Sequence, residues 1–159
     1  MACLVECAYR SPLGTLLITS DTRAILGIRV DPDADVSCRG AVPVISRCIQ
    51  ELDEYFSGSR ETFTVPADIS HLTEFQQKIL GLLRSVPFGA TVSYGELAEK
   101  AGVPAGGRSV GNVMKHNPLP VVYPCHRVIR ADGSLGGFGM GVGAKKMLLM
   151  LEQRKRSHG

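Results

Sequence analysis

Ser93-Tyr94-Gly95-Glu96-Leu97-Ala98-Glu99-Lys100-Ala101-Gly102-Val103-Pro104 is the stretch whose reading decides the fold. Ser93 and Glu96 form a capping box, in which each satisfies a backbone N–H at the start of a helix. That helix runs through Ala101. Gly102-Val103-Pro104 makes a tight turn, and a second helix follows from Gly107 to Lys115, stopped at Asn117-Pro118. Two short helices about a glycine-containing turn have the form of a helix-turn-helix. A plain helical hairpin has the same form. Arg108 at the head of the second helix and Lys115 at its end favour DNA as the partner. Gly107, Ser109 and Gly111 keep that helix small-sided. Glycine inside a helix costs about 1 kcal/mol relative to alanine, so Gly111 needs a reason. Close approach to a partner is one, and tight packing on the neighbouring helix is the other.

Upstream, Thr73-Glu74-Phe75-Gln76 is another capping box, starting a helix with the apolar stripe Phe75, Ile79, Leu82, Leu83 and Val86. Pro87-Phe88-Gly89 ends it. Downstream, the β-branched run Val121-Val122-Tyr123 reads as a buried strand that presents Pro124-Cys125-His126-Arg127-Val128 at a fixed place. Gly136-Gly137-Phe138-Gly139-Met140-Gly141 is a glycine-rich loop. No Gly-Lys-Ser/Thr closes it, so it is not a phosphate-binding loop. Ala144 to Leu151 forms a last helix with Met147, Leu148 and Leu151 toward the core and Glu152 at its end. A basic tail, Gln153 to Gly159, follows.

The N-terminal part has a different character. Cys3–Tyr9, Thr15–Thr19 and Ala24–Val30 read as strands, with a turn at Ser11-Pro12-Leu13-Gly14. A helix from about Val44 to Phe56 carries Ile45, Cys48, Leu52, Tyr55 and Phe56 on one face and ends at Gly58. Thr62-Phe63-Thr64-Val65 reads as a last strand. The expected division is a small α/β lobe over 1–70 without chemical residues, then a mainly helical domain over 71–159.

The chain of 159 residues is 44% hydrophobic and 21% charged, with a net charge of +3. That composition suits a folded domain with a core, and the charge permits nucleic acid without requiring it. No apolar run spans a bilayer, and the first residues lack the pattern of a signal peptide, so a cytoplasmic protein (nuclear in a eukaryote) with no membrane partner is expected. The five cysteines, Cys3, Cys7, Cys38, Cys48 and Cys125, are irregularly spaced, which argues against a disulfide framework and against a zinc site. Cys3 and Cys7 read as buried small residues and Cys48 as core. Cys125 alone has a chemical neighbour, His126. A thiol beside an imidazole can act as a hydrolase nucleophile or as an acceptor of alkyl groups. Nothing points to the oxyanion hole that a hydrolase needs, and a helix-turn-helix nearby points to a substrate carried on DNA.

Pro124-Cys125-His126-Arg127-Val128 resembles the active-site signature of the O6-alkylguanine-DNA alkyltransferases. Val92-Ser93-Tyr94-Gly95-Glu96-Leu97-Ala98, Arg108-Ser109-Val110-Gly111, Asn117-Pro118-Leu119-Pro120, Gly136-Gly137-Phe138, and Lys145 with Leu148-Leu149 and Glu152 occur in that family's order and spacing. The likeness is close from Thr73 to Glu152. It is looser in the N-terminal part, where Ser11-Pro12-Leu13-Gly14 carries it. The resemblance implies a ribonuclease H-like N-terminal lobe, with a small antiparallel sheet plus helix, and a C-terminal winged helix-turn-helix.

It also implies a single-use repair reaction in which Cys125 accepts the alkyl group of O6-alkylguanine, and possibly of O4-alkylthymine, in double-stranded DNA. His126 would take the thiol proton through a bound water, and Glu152 would hold the imidazole. The base would be flipped out, with the helix-turn-helix in the minor groove and Arg108 filling the gap. Gly107, Ser109, Gly111 and Lys115 would complete the DNA-contacting helix. Tyr94 would crowd the phosphate and donate to guanine N3, and Asn117 would tie the recognition helix to the active-site segment. Met114, Val128, Phe138, Gly139 and Met140 would form the pocket, with the Cys125 and Val128 carbonyls receiving the guanine amino group and the Gly139 N–H facing O6. No cofactor and no metal are expected, and the protein is expected to act as a monomer. Phe138 stands where many relatives have Tyr. Met140 is expected to narrow the pocket and disfavour free benzylguanine. A lesion sensor that binds without transfer and a cysteine hydrolase are the competing readings.

Overall fold

The computed structural model describes residues 4–34 and 42–158, and the chain divides into two compact units, Met1–Ile69 and Ser70–Gly159. In the first unit β1 (Val5–Ser11), β2 (Gly14–Ser20) and β3 (Ile25–Val30) form an antiparallel sheet in the order β1-β2-β3. The β1–β2 hairpin runs from Val5 opposite Ser20 to Ser11 opposite Gly14. Ser11 shapes its turn by accepting from the Leu13 N–H at 3.0 Å and donating to the Gly14 carbonyl at 2.7 Å. Leu16, Ile18 and Ser20 alternate along β2 and are fully buried, as a one-faced strand requires. Helix α1 (Pro43–Ser57) packs on the sheet. Its inward stripe, Ile45, Cys48, Leu52 and Tyr55, has spacings of three and four residues. Gly58, at φ 87°, ends it in the left-handed conformation that glycine adopts freely.

The expected strand at Thr62–Val65 does not form. Its donors are taken by a side chain instead. Glu51, buried on α1, accepts the Thr64 and Val65 N–H groups, each at 2.9 Å, and the Thr64 hydroxyl at 2.7 Å. Arg60 and Arg47 stand beside the same carboxylate. Burial works to raise the Glu51 pKa, but these bonds and Arg60 bring it below the usual value. Cys7 is disulfide-bonded, contrary to the expectation of unpaired thiols, while Cys3 and Cys38 lie outside the described residues. Cys48 and Cys125 are buried free thiols.

The second unit contains α2 (Glu74–Leu83), β4 (Val92–Ser93), α3 (Tyr94–Lys100), α4 (Gly107–Lys115), a 3₁₀ turn at Cys125–Arg127, β5 (Val128–Ile129) and α5 (Val142–His158). Both capping boxes are present. The Gln76 N–H donates to the Thr73 hydroxyl at 3.1 Å and the Glu96 N–H to the Ser93 hydroxyl at 3.0 Å, with the return bonds to both glutamine and glutamate side chains. Helix α3 ends in a Schellman motif, in which the Val103 N–H reaches the Ala98 carbonyl and the Gly102 N–H the Glu99 carbonyl. Gly102 takes φ 82° there. This turn lays α4 across α3, burying Leu97, Ala98 and Ala101 with Val110, Val113 and Met114. β4 and β5 pair in parallel, Val92 with Val128 and Ser93 with Ile129.

Val121–Tyr123 is buried as expected but is a turn rather than a strand. Pro118, Pro120 and Pro124 remove the donors that a strand ladder would use. Val121 instead adopts φ 75°, a conformation costing a β-branched residue about 1–3 kcal/mol. The Tyr123 N–H closes back on the Leu119 carbonyl at 2.9 Å. Met147, expected in the core, is 45% exposed. The inward stripe of α5 is Lys145, Leu148 and Glu152, so two of its three members are charged. Among the described residues no helix is long and apolar enough to cross a membrane.

Candidate active site

The turn after Asn117 delivers Cys125. The Asn117 amide donates to the Tyr123 carbonyl at 2.9 Å, and its oxygen accepts the Leu119 N–H at 3.0 Å. One side chain therefore fixes both ends of the segment joining α4 to the cysteine. Cys125 is 3% exposed. Burial pushes its thiol up to about 11, against a hydrogen bond from the Asn117 side chain and the charge of Lys145. At neutral pH this thiol keeps its proton. A base must therefore remove that proton when the sulfur attacks.

His126 is fully buried next to it, with Nε2 2.6 Å from Glu152 Oε2. Glu152 is ionised. Burial alone would raise its pKa, but His126 and Arg127 hold the carboxyl down at about 2. The facing nitrogen of His126 must then be the protonated one, which leaves Nδ1 as a bare acceptor. Nδ1 is buried and has no hydrogen-bond partner among the described residues. Burial keeps the imidazole below its ordinary pKa, outweighing Glu152, so His126 is neutral at pH 7.

Arg127, to which the sequence reading gave no role, completes the cluster. Its Nε and Nη2 reach the two oxygens of Glu152 at 2.9 and 3.0 Å, and Nη1 donates to the Val86 carbonyl at 2.7 Å. The Gly89 N–H adds a fourth donor to the carboxylate at 3.1 Å. Lys145 was likewise given no role. It is fully buried and donates to the Val128 carbonyl at 2.6 Å and the Gly137 carbonyl at 3.3 Å. Burial holds its ammonium down at about 8. Lys145 thus ties the glycine-rich loop to β5 and occupies one acceptor site of the Val128 carbonyl.

A cavity of about 780 Å³ lies beside Tyr94, a size usual for small-molecule sites. Gly107, Arg108, Gly111 and Lys115 border it from α4. Gly136, Gly137, Phe138 and Gly139 border it from the loop, and Arg130 joins them. Cys125, Met114, Val128 and Met140 are not part of this wall. Ser109 borders a second hollow with Thr73, Phe75 and Gln76, and Arg108 borders both. Gly136, at φ 71°, is required where it stands, because a Cβ there would lie 2.7 Å from the Tyr94 hydroxyl. Gly111 is different. A Cβ would meet only the Tyr94 ring, at 3.9 Å, and at Gly107 it would meet nothing. Packing within the chain does not demand either glycine. Among the described residues no group of three or more His, Cys, Asp or Glu could hold a metal ion.

A helix-turn-helix beside a buried cysteine, histidine and glutamate defines a DNA-acting protein with a thiol nucleophile. Residues 74–154 match the DNA binding domain of 6-O-methylguanine DNA methyltransferase, and residues 4–69 match its ribonuclease-like domain. The chain belongs to the 6-O-methylguanine DNA methyltransferase family. The methylated-DNA–protein-cysteine methyltransferase of Mycobacterium leprae is 37% identical over 157 residues, covering 96% of this chain and 94% of its own. The crystal structure of Mycobacterium tuberculosis O6-methylguanine methyltransferase superposes with a TM-score of 0.86 at 32% identity, covering 96% of this chain and 94% of the other. A structure of the Mycobacterium tuberculosis protein in complex with DNA gives 0.85 at 34% identity, over 94% and 93%.

Proposed function

We propose that this protein repairs alkylated DNA by moving the alkyl group from O6 of guanine onto Cys125 in a single turnover. The observation that carries this is the buried relay at His126. Its Nε2 is held by Glu152 at 2.6 Å, and its Nδ1 is buried without a hydrogen-bond partner among the described residues, on the residue that follows Cys125 in sequence. Nδ1 takes the Cys125 proton through a water as the sulfur attacks the alkyl carbon. The sulfur–carbon bond forms as the carbon–O6 bond breaks. The leaving guanine gains negative charge, which the Tyr94 hydroxyl stabilises by donating a hydrogen bond to N3. The imidazolium left behind is stabilised by Glu152. A thioether does not hydrolyse, so each molecule acts once and no cofactor is needed.

A thiol this buried cannot reach a base inside the duplex. The base is flipped out at a cost of a few kcal/mol and enters beside Tyr94 and the glycine-rich loop. Helix α4 approaches the minor groove, where the bare faces of Gly107 and Gly111 permit backbone-close contact and Arg108 fills the stack. Ser109 and Lys115 contact the DNA backbone. The first unit carries none of these groups, which suits support and contacts with other proteins.

Intact mass after incubation with duplex DNA containing O6-methylguanine tests the reading. The expected result is a stable gain of one methyl group, absent in Cys125→Ser. Tight binding without mass gain identifies a sensor, and repeated turnover on an ester identifies a hydrolase.

A further inference from the structure

Three cations border the cavity, Arg108, Lys115 and Arg130, and no carboxylate borders it. Two of them have other reasons to be there. Arg108 heads the helix proposed to enter the groove, and Lys115 occupies the last turn of α4, where a cation is favoured by the helix dipole. Arg130 has neither. It follows β5, and the turn after it holds its backbone rigidly. Its N–H donates to the Ser134 carbonyl at 2.9 Å, and its carbonyl accepts from the Gly133 N–H at 2.9 Å. The Asp132 carboxylate in that turn is engaged by the Ser134 N–H and hydroxyl, at 2.9 and 2.7 Å. The Arg130 side chain is exposed and makes no hydrogen bond or ion pair among the described residues. The guanidinium acts on the Asp132 carboxylate and on Tyr94 through space but bonds to neither, so its donors are available to an anion that enters the cavity beside it.

We infer that Arg130 is a DNA-backbone anchor, binding the phosphate that flanks the flipped nucleotide where it enters the cavity. The inference rests on the proposed function, since it takes the ligand to be an extruded nucleotide. A nucleotide has an apolar ring and an anionic phosphodiester, and the cavity matches both. Phe138, Tyr94 and the glycine backbone offer surface to the ring. Arg130 offers a planar fork, the geometry suited to phosphate oxygens. Anchoring here would act on lesions in DNA and not on a free modified base, which has no phosphate.

The test compares the wild type with Arg130→Gln and Arg130→Lys. Affinity for an O6-methylguanine duplex is measured across a salt series in a Cys125→Ser background, and transfer rates are measured with the same duplex and with free O6-benzylguanine. Losing one phosphate contact is expected to reduce the salt slope by about 1. Arg130→Gln should then lose rate on DNA by a larger factor than on the free base, and Arg130→Lys should recover most of the slope. An unchanged slope and affinity overturns the inference. So does an equal loss on DNA and free base, which would place Arg130 in the chemistry itself. If the wild type transfers no methyl, the proposed function fails while the salt slope still reads the anchor.

Discussion

Arg127 and Glu152 face each other in the interior through paired hydrogen bonds of 2.9 and 3.0 Å. Arg127 is thereby the standing counter-charge of Glu152, and His126 is free to remain neutral until it receives a proton. Replacing Arg127 with Met leaves a buried carboxylate without its cation. Removal of one partner from a buried pair costs about 3–5 kcal/mol, so urea unfolding should show a loss of that order. Methyl transfer should slow as well, because the carboxylate then orients His126 less firmly. Arg127→Lys should restore little, since one ammonium cannot span both oxygens.

Glu152 also predicts how stability responds to acid. Its carboxyl is held at about 2, against an ordinary value of 4.5. A depressed carboxyl contributes stability above the unfolded value and loses it as pH falls through the folded one. The unfolding midpoint should therefore drop steeply between those two values. Glu152→Gln should start lower and flatten that part of the curve. An unchanged profile in the variant would remove Glu152 from the account.

The rate of transfer should follow a different group. His126 is kept neutral by burial to a pH below its ordinary 6.5. Its base form is complete at neutral pH, so the single-turnover rate should hold level there and fall only on the acid side of that value. A rate that keeps climbing toward about 11 would instead track the Cys125 thiol, and would mean that a preformed thiolate does the work.

Gly111→Ala separates the two explanations of that glycine. The added methyl meets only ordinary contact with the Tyr94 ring. Alanine in a helix interior gains about 1 kcal/mol over glycine, so the free protein should become more stable. DNA binding should weaken at the same time, measured by fluorescence anisotropy. Stability lost and binding kept would return the glycine to a packing role.

The helices of the second unit were legible because their signals are local. Thr73 with Gln76 and Ser93 with Glu96 satisfy backbone donors within three residues, and no distant contact overrides them. The candidate catalytic stretch was legible as a motif, while its surroundings were not. Val121–Tyr123 has strand composition, but the prolines around it leave no ladder to join. Thr62–Val65 lost its strand to Glu51, a partner eleven residues upstream of Thr62. Lys145 and Arg127 escaped because a charged residue reads as surface, and only three-dimensional proximity shows that backbone carbonyls and Glu152 receive them. Arg130 escaped for the opposite reason. It is exposed, and its meaning lies in the cavity it borders.

The enclosure of Cys125 has a consequence for the protein after it has acted. Cys125 is 3% exposed in a close-packed interior. A transferred methyl adds a carbon there that no product release carries away. Overfilling a packed site costs about 1–3 kcal/mol, and a larger alkyl group displaces more of its surroundings. Under the proposed transfer, the spent molecule would therefore be a destabilised variant of the fresh one. Its melting temperature would distinguish used protein from unused without reference to the DNA.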